Sequence, residues 1–311
     1  MRANWPHDSR AATKLKSAVS PTSTTNSGLP PHDLVEAFRS LAPASAAWKL
    51  FAHDAALKLD LTGVHSINIP HVANFPPQPV FVGEGSAGPV AQWSLMKSAV
   101  GPARKILVIS CVSEELEAAS PQSVSGVIAR VLADSSNKSI DATAFDANPD
   151  DGIRPAGLLF GVTPTPAAAA GAFVAETIAA DVSNLVGAIA ANGIDPSDTV
   201  FIAGAREASL MQTLAGVDAI MSLAVPPKTV IACAPAGIAS GFEGGPEIDT
   251  SKEAVVHREG ASPGEIVSTP GVSASPSTSL FQSGLIAVRV RANAAWAAAP
   301  GAVQVVSGVN W

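Results

Sequence analysis

The residues with the most chemical promise form a glycine-rich run, Gly83-Glu84-Gly85-Ser86-Ala87-Gly88, whose letters match G-x-G-x-x-G. Such a run binds a dinucleotide when a helix begins inside it, so that the helix N-terminal N–H groups meet the pyrophosphate. Here Gly88 is followed by Pro89-Val90-Ala91-Gln92-Trp93, which reads as extended, and Pro70, Pro76, Pro77 and Pro79 precede the run. A glycine-rich turn is therefore the expectation. Glu114-Glu115 offers two carboxylates, but adjacent side chains on a helix do not face each other, so the pair reads as a solvated turn. His257-Arg258-Glu259 reads as a charged loop rather than a catalytic dyad, and His65 and His71 receive no role. The six histidines show no metal-ligand spacing. Cys111 and Cys233 lie far apart in uncharged surroundings and suit reduced thiols better than a disulfide framework. No G-x-S-x-G, H-E-x-x-H, P-loop or EF-hand pattern occurs. These observations give no catalytic residue, no cofactor site and no metal site. An α/β nucleotide-binding enzyme built around Thr199–Leu214 stays as the alternative of a different class, and it predicts a compact monomer or small oligomer with a measurable ligand.

The elements that would position any site sit in an unusual composition. The chain has 311 residues, 47% of them hydrophobic and only 14% charged, with no tyrosine. About 25% charged residues is typical, so the surface is poor in charge. The hydrophobic fraction excludes a disordered protein, and the length suffices for a sizeable core. The net charge of −7 lacks the basic surplus of a dedicated nucleic-acid binder. The uncharged stretches Pro155–Ala175 and Ala292–Trp311 are broken by glycine, proline or asparagine, and Thr229–Phe242 is too short for the ~20 residues of a span, so no membrane segment is expected. Low charge fits a subunit whose neighbours cover much of its surface.

Met1–Pro31 is rich in Ser, Thr and Pro and reads as an arm. Within it Arg2, Arg10, Lys14 and Lys16 oppose a single acid, Asp8. Leu34–Leu41 predicts a short helix capped by Asp33, and Ala55–Leu61 predicts a strand. Residues 64–110 read as a long two-stranded excursion with strands near Ser66–Ile69 and Pro79–Val82, a return through Trp93, Leu95 and Val100, and a β-rich run at Lys105–Val112. Ser120 as N-cap and Pro121 at the first helical position open the clearest helix. Val124, Val127, Ile128, Val131 and Leu132 mark one face of it, and it continues to Ile140 and Phe145. Val174–Ile189 predicts a second helix stopped at Asn192-Gly193. Thr199–Ala203 and Thr229–Ala234 read as buried strands and Glu207–Leu214 as a helix. Ala254–His257, Glu265–Ser268, Leu285–Arg291 and Ala302–Val306 read as further strands.

This order resembles the tailed-bacteriophage major capsid protein family, of Hong Kong 97-type fold. Phe81-Val82-Gly83-Glu84-Gly85-Ser86-Ala87-Gly88-Pro89-Val90 is similar to the family's extended E-loop stretch. Gly101-Pro102-Ala103-Arg104-Lys105-Ile106 resembles its return, and Val112-Ser113-Glu114-Glu115-Leu116 the entry to its spine helix. Asp141 resembles the aspartate near that helix's end, Gly152-Ile153 the pair after it, and Leu280–Arg289 the strand returning near the C-terminus. The resemblance covers roughly residues 35–311.

The resemblance implies an α+β phage major capsid fold with an N-terminal arm, an extended β-hairpin E-loop, a peripheral domain with a long spine helix and an α/β axial domain. The implied division is arm 1–60, E-loop and return strand 61–110, peripheral domain with spine helix 111–165, axial domain 166–275 and peripheral return strands 276–311. It further implies a structural protein, not an enzyme, that joins copies of itself as pentamers and hexamers in an icosahedral shell. That shell would enclose double-stranded DNA without sequence-specific binding, in a virion assembled in the bacterial host cytoplasm. Scaffold, portal and decoration proteins would be its further partners, and an encapsulin-type compartment is the related alternative. Phe75, Phe81, Glu84, Trp93 and Lys97 are the expected inter-subunit contacts of the E-loop. Some family members join an E-loop lysine to an asparagine of another subunit by an isopeptide bond. Lys97 lies in the return stretch here, but the matching C-terminal strand has Gln282-Ser283, and Asn293 lies past the match, so cross-linking is not expected. Members also often begin with a scaffold-like segment that a protease removes, whereas this chain starts almost directly with the arm.

Overall fold

The computed structural model of the chain describes residues 45–72, 81–85, 87–88, 90, 95–115, 121–243, 247–257, 267–269, 272–273 and 277–311. The expected arm, the Leu34–Leu41 helix and Ser120 lie outside these residues. The elements begin with α1 (Ala46–Phe51), β1 (Leu57–Asp60), β2 (Ile67–Val72), β3 (Leu95–Val100), β4 (Arg104–Ser113), α2 (Pro121–Ala144) and α3 (Val174–Ala191). There follow β5 (Val200–Ala203), α4 (Ala205–Leu210), β6 (Ala219–Met221), β7 (Thr229–Cys233), β8 (Ile238–Phe242), β9 (Glu247–Ser251) and β10 (Val255–His257). The chain closes with β11 (Val267–Thr269), β12 (Val272–Ser273), β13 (Ser277–Ser279), α5 (Leu280–Ser283), β14 (Leu285–Ala298) and β15 (Val303–Ser307). Two compact units emerge: one holds the described residues of 107–133 and 247–291, the other those of 43–106, 134–246 and 292–311.

The larger unit is organised by a four-stranded sheet ordered β15-β7-β5-β6, antiparallel except for the parallel pair β5–β6. Alternation along its strands feeds two cores. Phe201, Ala203, Val230, Ala232 and Val306 face α3, whose Ile178, Leu185 and Ile189 are fully buried. Ile202, Ile231, Cys233, Val303 and Val305 face the other way, onto α1, the end of α2 and Trp296. Because both faces are covered, β7 is buried at every position, which is why it reads as an unbroken apolar run. α3 is long and apolar enough by composition to cross a membrane, a candidate that the three uncharged stretches do not include. One face of this helix is instead buried on the sheet, and its Asp181 accepts hydrogen bonds from the Ala168 N–H and the Trp311 indole, both at 2.7 Å. In the same unit β1 runs parallel to β8, and β8 pairs antiparallel with residues 294–298 of β14.

Three sequence expectations change here. The Glu207–Leu214 helix divides into α4 and a π-helical turn, Met211–Ala215, which ends at Gly216 in a left-handed conformation. β14 does not stop at Arg291 but runs to Ala298. The alanine-rich stretch 292–298 has neither strong β propensity nor polar alternation, and its strand character comes from pairing with β8. Phe81 and Val82, expected in a short strand, carry none.

The smaller unit is mostly β. β9 pairs antiparallel with Ala287–Arg291, and Arg289 meets Asp249 at 2.7 Å. β10 pairs with β13 and β11 with β12. Its described core is Leu280, Leu285 and Ala287, with Cys111, Ala254 and Val256 packed against it. Glu114 forms an ion pair with Lys252 at 3.3 Å, so it is a surface partner rather than half of a carboxylate pair.

The 24-residue α2 opens on Pro121, whose missing N–H costs nothing at a helix start. Near its other end the buried Asp141 accepts from Ser45 Oγ at 2.6 Å, from the Ala46 and Ala47 N–H groups at 3.0 Å and from Ser222 Oγ at 3.0 Å. It satisfies the first two N–H groups of α1 while the N-cap Ser45 Oγ accepts from the Trp48 N–H, so the two side chains share the capping of that helix. Asp141→Ala strands four buried donors and is expected to cost about 3 kcal/mol or more, read as a lowered urea midpoint with unchanged slope.

Cys233 is buried in β7, and desolvation of its thiolate pushes the thiol pKa up to about 12 from 9.0. The native thiol is therefore expected to resist iodoacetamide at about pH 8 and to react once the chain is unfolded. Its folded pKa lies above the unfolded one. The corresponding stability is complete below pH 9.0 and is lost as pH rises toward about 12, which a denaturant series across that window measures.

Candidate functional site

The excursion is built on β2 and β3, an antiparallel pair with Ile67 opposite Val100 and Val72 opposite Leu95. Ile67 and Ile69 pack against Leu61, Val100, Ala239 and Ala295, which anchors the base of the hairpin. Asn68, Pro70, Lys97 and Ala99 are exposed on the other face. Strand alternation thus gives the hairpin one face for its own core and one turned to solvent. At the base Gly101 has φ 113°, and a Cβ there would lie 2.6 Å from the His65 carbonyl oxygen. Only glycine tolerates both that backbone conformation and that approach.

Of the five expected contact residues, Phe75 and Trp93 lie outside the described residues. Lys97 sits on β3 opposite Pro70, with its side chain exposed. Phe81 is fully exposed, at 108% of its reference area, and Val90 at 99%. Glu84 is also exposed, beside Gly85 in a left-handed turn (φ 77°). No helix starts at Ala87, Gly88 or Val90, so the described residues of the glycine run offer no helix N-terminus of the kind a pyrophosphate needs. The described residues here present apolar side chains, one carboxylate and one ammonium to solvent. That can support docking and offers no acid–base pair.

The region expected under the enzyme alternative is occupied by a carboxylate. Glu207, buried in α4, accepts from the Lys228 N–H at 3.1 Å, and its Oε2 lies 2.8 Å from where a Cβ on Gly204 would be. An anion at the β5–α4 turn would meet that charge. An open groove of about 630 Å³ nearby is lined by Lys49, His53, Asp198 and Asp218 among others. Among the described residues no group of three or more His, Cys, Asp or Glu side chains is placed to hold a metal ion.

Two further arrangements emerge only in the folded chain. Asn293 donates from Nδ2 to Glu243 Oε2 at 2.8 Å on an exposed face. A cavity of about 220 Å³ is walled by Ala142, Met221, Leu223 and Ala224, with Asn137 and Lys138 also lining it. Asp141, Ser45 and Ser222 complete that lining through the polar cluster described above. Its polar parts come from segments 96 and 81 residues apart, with no local pattern to mark them.

No family model matches the chain, and no curated protein matches its sequence. Solved structures do. A protein of Mycobacterium phage Adephagia superposes with TM-score 0.61 at 14% identity, covering 98% of each chain. The capsid of an empty gene-transfer-agent (GTA) particle superposes with TM-score 0.59 at 12% identity, over 87% of this chain and 92% of that one. A protein of Microbacterium phage Oxtober96 gives TM-score 0.58 at 15% identity, over 86% and 91%. The chain has the phage capsid fold. At 12–15% identity the likeness is one of fold, carried by few shared side chains.

The hairpin base gives a direct check. Gly101→Ala is expected to cost about 1–3 kcal/mol and to speed amide exchange in β2 and β3 ahead of β7, as read by hydrogen–deuterium exchange with mass spectrometry.

Proposed function

We propose that the chain is a major capsid protein that self-assembles, through pentamers and hexamers, into the icosahedral shell enclosing the double-stranded DNA of a tailed phage, prophage or gene-transfer particle. The observation that carries this reading is the likeness of fold along 87% of the chain to the capsid of a GTA particle. The composition supports it: 14% charged residues and solvent-facing Phe81, Phe160, Phe173 and Phe281 leave apolar area for neighbouring subunits to cover. Burying one such aromatic adds about 1.5–3 kcal/mol, and repetition around a closed shell multiplies modest contacts. The net charge of −7 suits a wall that contains DNA without gripping it.

In this reading residues 1–60 are the arm and 61–110 the E-loop with its return strand. Residues 111–165 and 276–311 form the peripheral domain, and 166–275 the axial domain. Phe75, Phe81, Glu84, Trp93 and Lys97 reach a neighbouring subunit. Scaffold, portal and decoration proteins are the further partners, and the subunit's place is the virion. The buried Glu207 at the β5–α4 turn favours this over a nucleotide-binding enzyme.

Negative-stain microscopy of concentrated protein is expected to show closed shells, tubes or capsomers. A monodisperse small oligomer under every salt and scaffold condition would overturn the reading. Nuclease-protected DNA inside purified particles separates a phage or gene-transfer shell from an encapsulin-type compartment. On denaturing, reducing gels the particles are expected to run as monomers, and a ladder of covalent multimers would instead point to Lys97 and the Asn293–Glu243 pair.

A further inference from the structure

The cavity beside the end of α2 has the size and lining to take up an apolar side chain. Its volume is about 220 Å³, and an apolar cavity of about 150 Å³ already accepts a benzene ring. Met221 and Leu223, two of its walls, are 50% and 67% exposed. The polar groups at its inner side, Asp141, Ser45 and Ser222, bond to one another, so an apolar guest leaves none of those bonds broken. The chain also displays an aromatic with no packing of its own: Phe81 is entirely solvent-exposed and belongs to the excursion. Three residues on, Glu84 is exposed, and the cavity's lining includes the exposed Lys138. Phe173 and Phe281, the next most exposed phenylalanines, sit at or within helices α3 and α5 rather than on a projecting loop.

We propose that this cavity is the receptor for the excursion of a second copy of the chain, with Phe81 inserted between Met221 and Leu223 and Glu84 set against Lys138. The inference rests on the shell reading and names the surface that receives the hairpin. The aromatic supplies the buried anchor that dominates small contacts. The charge pair fixes orientation and adds little affinity of its own, whereas reversing one partner sets like charges together and is strongly unfavourable. The cavity floor is the Asp141 cluster, so docking bears directly on the group that joins α1, α2 and the end of β6.

Full-length protein carrying Phe81→Ala, Glu84→Lys, Lys138→Glu, or Glu84→Lys with Lys138→Glu tests this by particle yield on a sucrose gradient. Thermal melting of the unassembled subunit serves as a folding check, and all three positions are exposed. Each single variant is expected to lower the yield of shells about tenfold or more, and the double charge exchange to recover it to within about twofold of wild type. In parallel, p-benzoylphenylalanine at position 81 is expected to photo-cross-link to peptides containing residues 137–142 or 221–224 of another subunit. Wild-type levels of assembly by Phe81→Ala, or cross-links that all fall elsewhere, would overturn the docking while leaving the shell reading intact. Failure of the wild-type chain to form any shell or capsomer would overturn both.

Discussion

The larger unit depends on one buried carboxylate that has no cationic partner among its hydrogen-bonding groups. Asp141 takes all four of its hydrogen bonds from two serine hydroxyls and two backbone N–H groups. A carboxylate removed from water must recover its solvation from fixed dipoles. Here the dipoles come from the first turn of α1 and from the end of β6, so neither can drift without leaving the charge exposed to an apolar interior. Phe51 and Trp296 stack beside it at 5.6 Å, and Trp48 stacks on Phe242 at 4.7 Å. The polar cluster sets the register, and the aromatic packing supplies the area.

Two other buried carboxylates in that unit also draw on backbone N–H groups. Asp181 is held by an indole and a backbone N–H. Glu207 is held by the Lys228 N–H, with Arg206 at 3.6 Å. Satisfying acids with the backbone uses few basic residues, and a chain of 19 Lys and Arg can remain ordered on that basis. The capsid fold in this chain is thus secured by dipoles inside, while large apolar side chains such as Phe81, Phe173 and Phe281 face solvent.

Much of the fold was legible in the sequence where a local signal and the tertiary environment agree. Pro121 marks the start of α2, Asn192-Gly193 the end of α3, and the unbroken apolar run of β7 its burial on both faces. The second half of β14 was not legible, because alanines carry no β signal and the partner strand supplies it. The π-helical turn at Met211–Ala215 was hidden inside an ordinary helical pattern. Phe81, Glu84 and Lys97 are named from likeness to a family loop, and the structure shows them exposed. The surface that could receive them could not be named, because Ala142 and Leu223 meet only through the fold. Asp141 stood out only by likeness to a family motif, and nothing in its neighbours' letters announces four donors from two distant segments.

Asp181 has a consequence that begins before the fold exists. On leaving the ribosome, α3 is eighteen residues of mostly apolar helix, the kind of segment that membrane-insertion machinery samples. A carboxylate near the centre of such a helix costs roughly 2.5–3.5 kcal/mol on insertion scales. The side chain that later receives the Trp311 indole therefore first weighs against the bilayer as a destination, and biases the nascent segment toward the sheet that will cover it.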